Sequence, residues 1–452
     1  MEFVLAVRNA SLDDPIAKLS DDALEWLRNP PHGPIVINSP GVHQSISMYL
    51  ALEHASQDAY NCIRRATARN FGGADGVDNL LSFYNVKKLI TQYTGVESIE
   101  HDMCPKSCLA FTGPYADLDQ CPLCTMSRWD QAKLQASNGH NKVAAQKFIT
   151  IPLGPQLQSL YRDSENAHNM RYLHKCMQEI LAQIERTMEI PIIDDIAMGY
   201  DYLGAVLDGD IKANDIVLMV SLDRAQLYES KQSDCWMYVW VILNLAPDKR
   251  YWKLHNVDSF LAVGIHHLAA LQNEGLAMWD ASHDAHFTSD LHLLYTTADG
   301  PRLVYWDGMD QCVEGSDHPD IDVCKLPPGG SADYAKNLFQ LVVSPNQWQL
   351  DLRKIKTGIM KPPLIMGLSP SHCLSIPHCM TTDIMHLAAN LSDLCLNLWH
   401  GTMDCGTMDD IAMWDWAVLQ DTETWSTHGE LVKHTGLYLP PSFDQKPRNI
   451  AN

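Results

Sequence analysis

Apolar positions recur at helical spacing through much of the first 190 residues. Residues 44–70 (QSISMYLALEHASQDAYNCIRRATARN) put Met48, Leu52, Ala55, Cys62, Ile63 and Ala66 broadly on one side, which predicts a helix ended by the glycine-rich run 72–76. VKKLITQYTG predicts a second helix with Gly95 as its stop, and residues 167–188 a third, apolar at Met170, Leu173, Met177, Ile180, Leu181 and Ile184. The period then changes. Residues 215–222 (DIVLMVSL) and the aromatic, β-branched run 235–246 (CWMYVWVILNLA) predict two strands, 257–265 a weaker one, 267–279 a helix and 291–297 a further strand. The order β–β–(β)–α–β places Asp223 and Asp299 just beyond its first and last strands. Past Pro301 the pattern is irregular, with 327–330 (PPGG) a junction, and helical spacing returns at 331–355 and at 382–400, where Gly401 is the expected stop. Residues 1–40, broken by Pro30, Pro31, Pro34 and Pro40, read as a leader with little regular structure.

With 452 residues, roughly two to four domains are expected. Hydrophobic residues make up 46%, enough for a real core, and charged residues 19%. The net charge of −22 excludes a chain that coats nucleic acid with its whole surface but permits a local basic groove. No apolar run reaches the roughly 18–20 residues of a membrane helix, and the start lacks a basic n-region, so an intracellular protein without a membrane partner is expected. Thirteen cysteines are spread unevenly, which favours metal ligands and buried thiols over a disulfide framework.

Two close cysteine pairs stand out: Cys104, Cys108, Cys121 and Cys124, in CPKSCLAFTGPYADLDQCPLC. Each pair can form a knuckle, and the twelve-residue link, turned at Gly113-Pro114, lets the knuckles face each other around a tetrahedral Zn²⁺. Four thiolates leave no position for water, so the expected zinc is structural; four buried thiols or two disulfides are the alternative. In a sheet whose first and last strands are neighbours, Asp223 and Asp299 at their ends converge on a crevice and can hold Mg²⁺ or Mn²⁺, although an aspartate there is also ordinary turn chemistry. Asp383 and His386 lie one helical turn apart on a polar stripe continued by Asn390, Asp393 and Asn397, opposite an apolar face of Ile384, Leu387, Leu391, Leu394 and Leu398; the stripe also reads as a solvated face. Arg64, Arg65, Arg69, Lys87 and Lys88 form a basic cluster able to touch phosphate, or simply to face water. His266-His267 and the string His283, His286, His292 show no metal spacing.

These words resemble the transposases of fungal CACTA-type DNA transposons, in the DDE group. The resemblance is carried by YLALEHASQDAYNCIRRA (49–66), the four-cysteine segment, IPLGPQLQSLYR (151–162), the run 215–251, HHLAALQNEGLAMWDAS (266–282), TTADGP (296–301) and PHCMTTDIMHLAANLSDLCLNLWHGTMD (377–404). It implies an α/β fold: an RNase H-like mixed sheet preceded by a helical region and a zinc-ribbon-like four-cysteine region, and followed by a helical region. The expected domains are 1–100 (leader and helices), 101–150 (zinc-binding), 151–312 (catalytic core) and 313–452 (helical insertion and C-terminal region). The implied activity is Mg²⁺- or Mn²⁺-dependent cleavage and strand transfer at transposon ends, in the nucleus, with DNA as partner and self-association open to it. Asp223 and Asp299 match the family's first two acidic positions, Asp383 and His386 its D-x2-H element, and the four cysteines its zinc motif. The stretch after Asp299 is short against that pattern, and the chain ends at Asn452 with no third acidic position marked; Glu430 has no distinguishing surroundings. The expectation is therefore a truncated, inactive relative, with a non-catalytic zinc- and DNA- or protein-binding module as the alternative.

Overall fold

β3 (Ile216–Gln226) is the strand on which the larger part of the molecule is built. In the computed structural model the residues described are 1–33, 35–52, 55–189, 195–226, 234–250, 261–298, 306, 308–309, 330–382, 384–403 and 413–435; side chains are described for all of these except 223–226, 234–237, 248, 382 and 384–390. The chain divides into two units, Met1–Thr381 and Thr382–Asn452. Besides β3, the strands are β1 (Ile99–Met103), β2 (Gln146–Thr150), β4 (Asp234–Ile242), β5 (Leu276–Asp280), β6 (Ala285–Ser289), β7 (Leu291–Ala298) and β8 (Met380–Thr382). The main sheet runs β4-β3-β7-β8, and β1-β2 and β5-β6 form separate two-stranded pairs.

β3 pairs antiparallel with β4 and parallel with β7, so the sheet is mixed. Both of its faces are covered. Ile216, Leu218, Val220 and Leu222 pack with Leu153, Leu157 and Tyr161 of the helix Leu153–Tyr161, and with Ile265, Leu268 and Leu271 of the helix Leu261–Glu274. Val217 turns the other way, with Val241 and Leu294, against Leu173, Met177 and Ile180 of the helix Tyr172–Thr187 and Tyr202 and Leu203 of Tyr200–Leu207. Burial on both faces is why β3 reads as a continuous apolar run rather than as an alternation. A bulge lets the successive residues Leu294 and Tyr295 serve the same face: Leu218 pairs with Leu293, but Met219 with Tyr295. At Gly264 the helix lies so close to β4 that a Cβ would sit 2.3 Å from the Tyr238 hydroxyl.

Several elements differ from the expectation. The helix expected over 44–70 is two, Pro40–Ala51 and Gln57–Asn70, because Ser56 caps a new start by accepting from the Ala59 amide. The region 167–188 divides between Ser164–Asn169 and Tyr172–Thr187, and 331–355 between Ser331–Val342 and Gln347–Thr357. The weaker strand over 257–265 is not formed in its described part: residues from Leu261 open a helix, which ends at Glu274 so that Leu276–Asp280 becomes strand. Nor are residues 1–40 an irregular leader. They hold the helices Glu2–Arg8 and Asp21–Arg28, and Val7, Ala10, Leu12 and Leu27 belong to the main core. Arg8 donates through Nη2 to the Met366 carbonyl (2.7 Å) and through Nε to that of Gly367 (3.1 Å), while Ile365, Leu368 and Cys379 join the same core from the far end of the unit. Core residues thus come from both sides of the expected boundaries at 150 and 312.

The second unit contains the helices Ile384–His400 and Thr422–His434. The first ends at Gly401 (φ 72°), as expected. The expected apolar face is not covered where it is described: Leu391 and Leu394 are about half exposed, at 50% and 47%. No described helix is long and apolar enough to cross a membrane.

Candidate metal centre and acidic strand ends

Cys104 follows directly on β1, and the two cysteine pairs fold as related turns. The Cys104 amide donates to the Leu109 carbonyl (2.9 Å) and the Cys121 amide to that of Met126 (2.9 Å), so each first cysteine closes a turn with the residue five positions on. Within the loops Ser107 donates to the Cys104 carbonyl (2.7 Å) and Thr125 to that of Cys121 (2.8 Å). Both turning residues adopt positive φ, 55° at Ser107 and 59° at Thr125. The turns bring all four sulfurs within 4.8 Å of one another, with Cys104 and Cys124 at 3.4 Å. A tetrahedron of thiolates about 2.3 Å from zinc has edges of about 3.8 Å, so the donor set fits a Zn²⁺ ion in number, type and spacing. It is the one His/Cys/Asp/Glu group among the described residues with metal-holding geometry. The four thiols are unbridged.

The electrostatics agree. Burial alone would raise the Cys104 thiol, but the Lys106 and Cys108 amides and the neighbouring sulfurs outweigh it and hold it at about 7. Cys108 is pushed up to about 12, first by Cys124, then by desolvation and by Cys104. One sulfur thus takes a negative charge at the expense of another, a competition that a divalent cation removes.

Sequence reading missed what holds these turns. Leu109 and Phe111 form a small core with the buried Cys104 and Cys121. Arg128 ties that core to β1: its Nε and Nη2 reach Asp102 Oδ2 at 2.8 and 2.7 Å, and its Nη1 donates to the Ala116 and Leu118 carbonyls at 2.6 and 3.3 Å. Its guanidinium also lies over the rings of Phe111 and Trp129, 5.1 and 4.6 Å from their centroids. A lone arginine four residues past the last cysteine carries no spacing signal.

Of the two acidic positions Asp223 alone is described, and only through its backbone. β3 and β7 run parallel in register up to Leu222 opposite Ala298, the residues preceding Asp223 and Asp299 in sequence. Asp223 does not stand beyond its strand as expected: β3 runs on to Gln226 because β4 pairs with it that far, and Asp223 lies within it opposite Met237, its side chain outside the described set. Asp299 and Asp383 lie outside the described residues, and His386, within the helix Ile384–His400, is described by backbone alone.

Arg64, Arg65 and Arg69 lie on the helix Gln57–Asn70, and Lys87 and Lys88 on Phe83–Thr94. Arg65 is spent locally, donating to the Asn61 carbonyl (3.2 Å) and the Cys62 sulfur (3.4 Å). The histidine pair is structural: His266 meets Asp14 (3.1 Å), and His267 accepts from the Gly154 amide (3.2 Å), with burial pushing it down to about 3. No protein-family model matches the chain, and no curated protein matches it.

Proposed function

We propose that the protein is a transposon-derived, DDE transposase-like protein with an RNase H-like core and a structural zinc ribbon. The observation that carries this reading is the register of β3 and β7: two parallel neighbours whose paired stretch ends at Leu222 and Ala298, each followed in sequence by an aspartate, flanked by antiparallel β4 on one side and β8 on the other. In such a sheet, carboxylates that follow adjacent paired positions of two parallel strands can share one divalent cation. When bound, Mg²⁺ or Mn²⁺ would stabilise the leaving oxygen and lower the pKa of the attacking hydroxyl in phosphodiester cleavage and strand transfer. Asp223 and Asp299 would bind it, and the covered sheet would keep them oriented. Asp383 and His386 would have an accessory role. DNA would be the partner, the nucleus the compartment, and self-association the way two transposon ends are held together.

The test is strand transfer by the full chain on DNA carrying the element's terminal inverted repeats, with Mg²⁺ or Mn²⁺. Activity lost in Asp223→Asn and in Asp299→Asn, and retained in Asp290→Asn, supports the reading; activity indifferent to the first two substitutions refutes it. A second reading, a non-catalytic zinc- and DNA- or protein-binding module, is favoured by the four-cysteine cluster, whose donor set offers structure and not chemistry. DNA binding without cleavage in any divalent metal selects it.

A further inference from the structure

The basic cluster on the N-terminal helices is not a flat surface. A cavity of about 490 Å³ lies beside it, lined by Ser39, Arg64, Asp78, Asn79, Ser82 and Asn85, among others. Two polar atoms of its lining residues are buried, each exposing less than 1 Å², and have no hydrogen-bond partner among the described residues: Arg64 Nε and Ser39 Oγ. Arg64 forms no ion pair with Asp78 or any other described residue, in contrast to the locally bonded Arg65. A buried donor left unpaired is costly, more so when charged, and is a place where a ligand is expected.

The walls are preformed. Tyr60 donates to the carbonyls of Ser45 (3.3 Å) and Leu81 (3.1 Å), the Leu81 amide donates to Ser45 Oγ (2.9 Å), and the Phe83 amide to Asn61 Oδ1 (3.3 Å). Gly41 and Gly76 meet so closely that a Cβ on Gly41 would stand 1.8 Å from the Gly76 carbonyl oxygen, which fixes the 72–79 loop against the start of Pro40–Ala51. Ser39 is the N-cap of that helix yet makes no side-chain cap bond, and Ser82 caps Phe83–Thr94, so two helix starts border the cavity with Arg64. Both ends carry partial positive charge.

We infer that this cavity binds a phosphate group of a nucleotide unit, with Arg64 and Ser39 holding the phosphate oxygens and Asp78 taking a neighbouring hydroxyl or amine. The phosphate can belong to a DNA strand or to a free nucleotide. The first source rests on the function proposed above; the site does not.

The test uses the full chain and three probes: inorganic phosphate and dAMP by calorimetry, and a short fluorescein-labelled DNA by anisotropy at fixed salt. Arg64→Gln is expected to weaken binding of all three by roughly tenfold or more, and Ser39→Ala by roughly threefold, because charged hydrogen bonds are worth more than neutral ones. Arg65→Gln should change each by less than about threefold. Arg64→Lys, which keeps the charge, should recover part of the affinity, and melting temperatures identify any variant that misfolds. Phosphate and dAMP bound in an Arg64-dependent way without DNA binding uphold the site and refute the DNA reading. DNA bound with equal losses in Arg64→Gln and Arg65→Gln overturns the site and leaves the DNA reading standing. No binding of any probe overturns both.

Discussion

Replacing Arg128 by alanine should loosen the four-cysteine region without unfolding the main core. Arg128 and Asp102 expose only 14% and 18% of their side chains. Removing one partner of a fully buried pair costs about 3–5 kcal/mol, and residual solvent screening here reduces that to about 2–4 kcal/mol. The figure includes Asp102 left without its cation, the Ala116 and Leu118 carbonyls left without their donor, and the guanidinium lost from above Phe111 and Trp129. These contacts span the link between the two cysteine turns, so they exist only when the turns are in place. Their loss should therefore appear as weaker metal binding, roughly 30- to 700-fold at about 1.4 kcal/mol per tenfold. Competition with a chromophoric chelator measures the zinc affinity, and hydrogen exchange of the 104–126 amides reports the same loosening locally. Arg128→Lys should recover less than half, because an ammonium cannot serve Asp102 and two carbonyls from one plane. Wild-type zinc affinity and unchanged exchange in Arg128→Ala would refute the reasoning.

Asp195→Ala should cost about 3–5 kcal/mol in urea denaturation, since it leaves the buried Arg250, paired with it at 2.5 and 2.8 Å, without a counter-charge; a loss below about 1 kcal/mol would contradict that. Stability should also fall with acid. His101 is held down to about 4, first by burial and then by Lys18, and its Nε2 bonds Thr150 Oγ1 at 2.8 Å. Below its ordinary value of about 6.5 the unfolded chain takes up a proton that the folded one refuses, so its contribution is complete above about 6.5 and lost as pH falls toward 4. The slope should approach about 1.4 kcal/mol per pH unit for this group, and His101→Gln should reduce the pH dependence of the urea midpoint between pH 6.5 and 4.

The parts that could be read from sequence were those set by short-range chemistry. The cysteine turns form because each is closed by bonds five residues apart or less, and Gly95 and Gly401 end helices because αL geometry suits glycine locally. β3 was apparent from its apolar run. What could not be read depends on partners far away. The burial of Val7 and Leu12 is decided by a core assembled from residues up to Cys379, and proline-rich surroundings hid it. The helix start at Leu261 was misread because β-branched and apolar residues buried on all sides lack amphipathic period: ten of its fourteen residues are buried. Arg128 and the Arg64 cavity were invisible for the same reason, since neither side chain acts through its sequence neighbours.

The closure of the main core by both ends of the Met1–Thr381 unit bears on its biogenesis. Arg8 bonds carbonyls 358 and 359 residues further along, and the last strand of the sheet begins at Met380. A ribosome adding roughly 5–20 residues per second would complete the first helix on the order of 20–75 seconds before the carbonyls that Arg8 bonds emerge. Such distant pairing slows assembly, so the nascent chain should engage holdase chaperones through its first thirty residues.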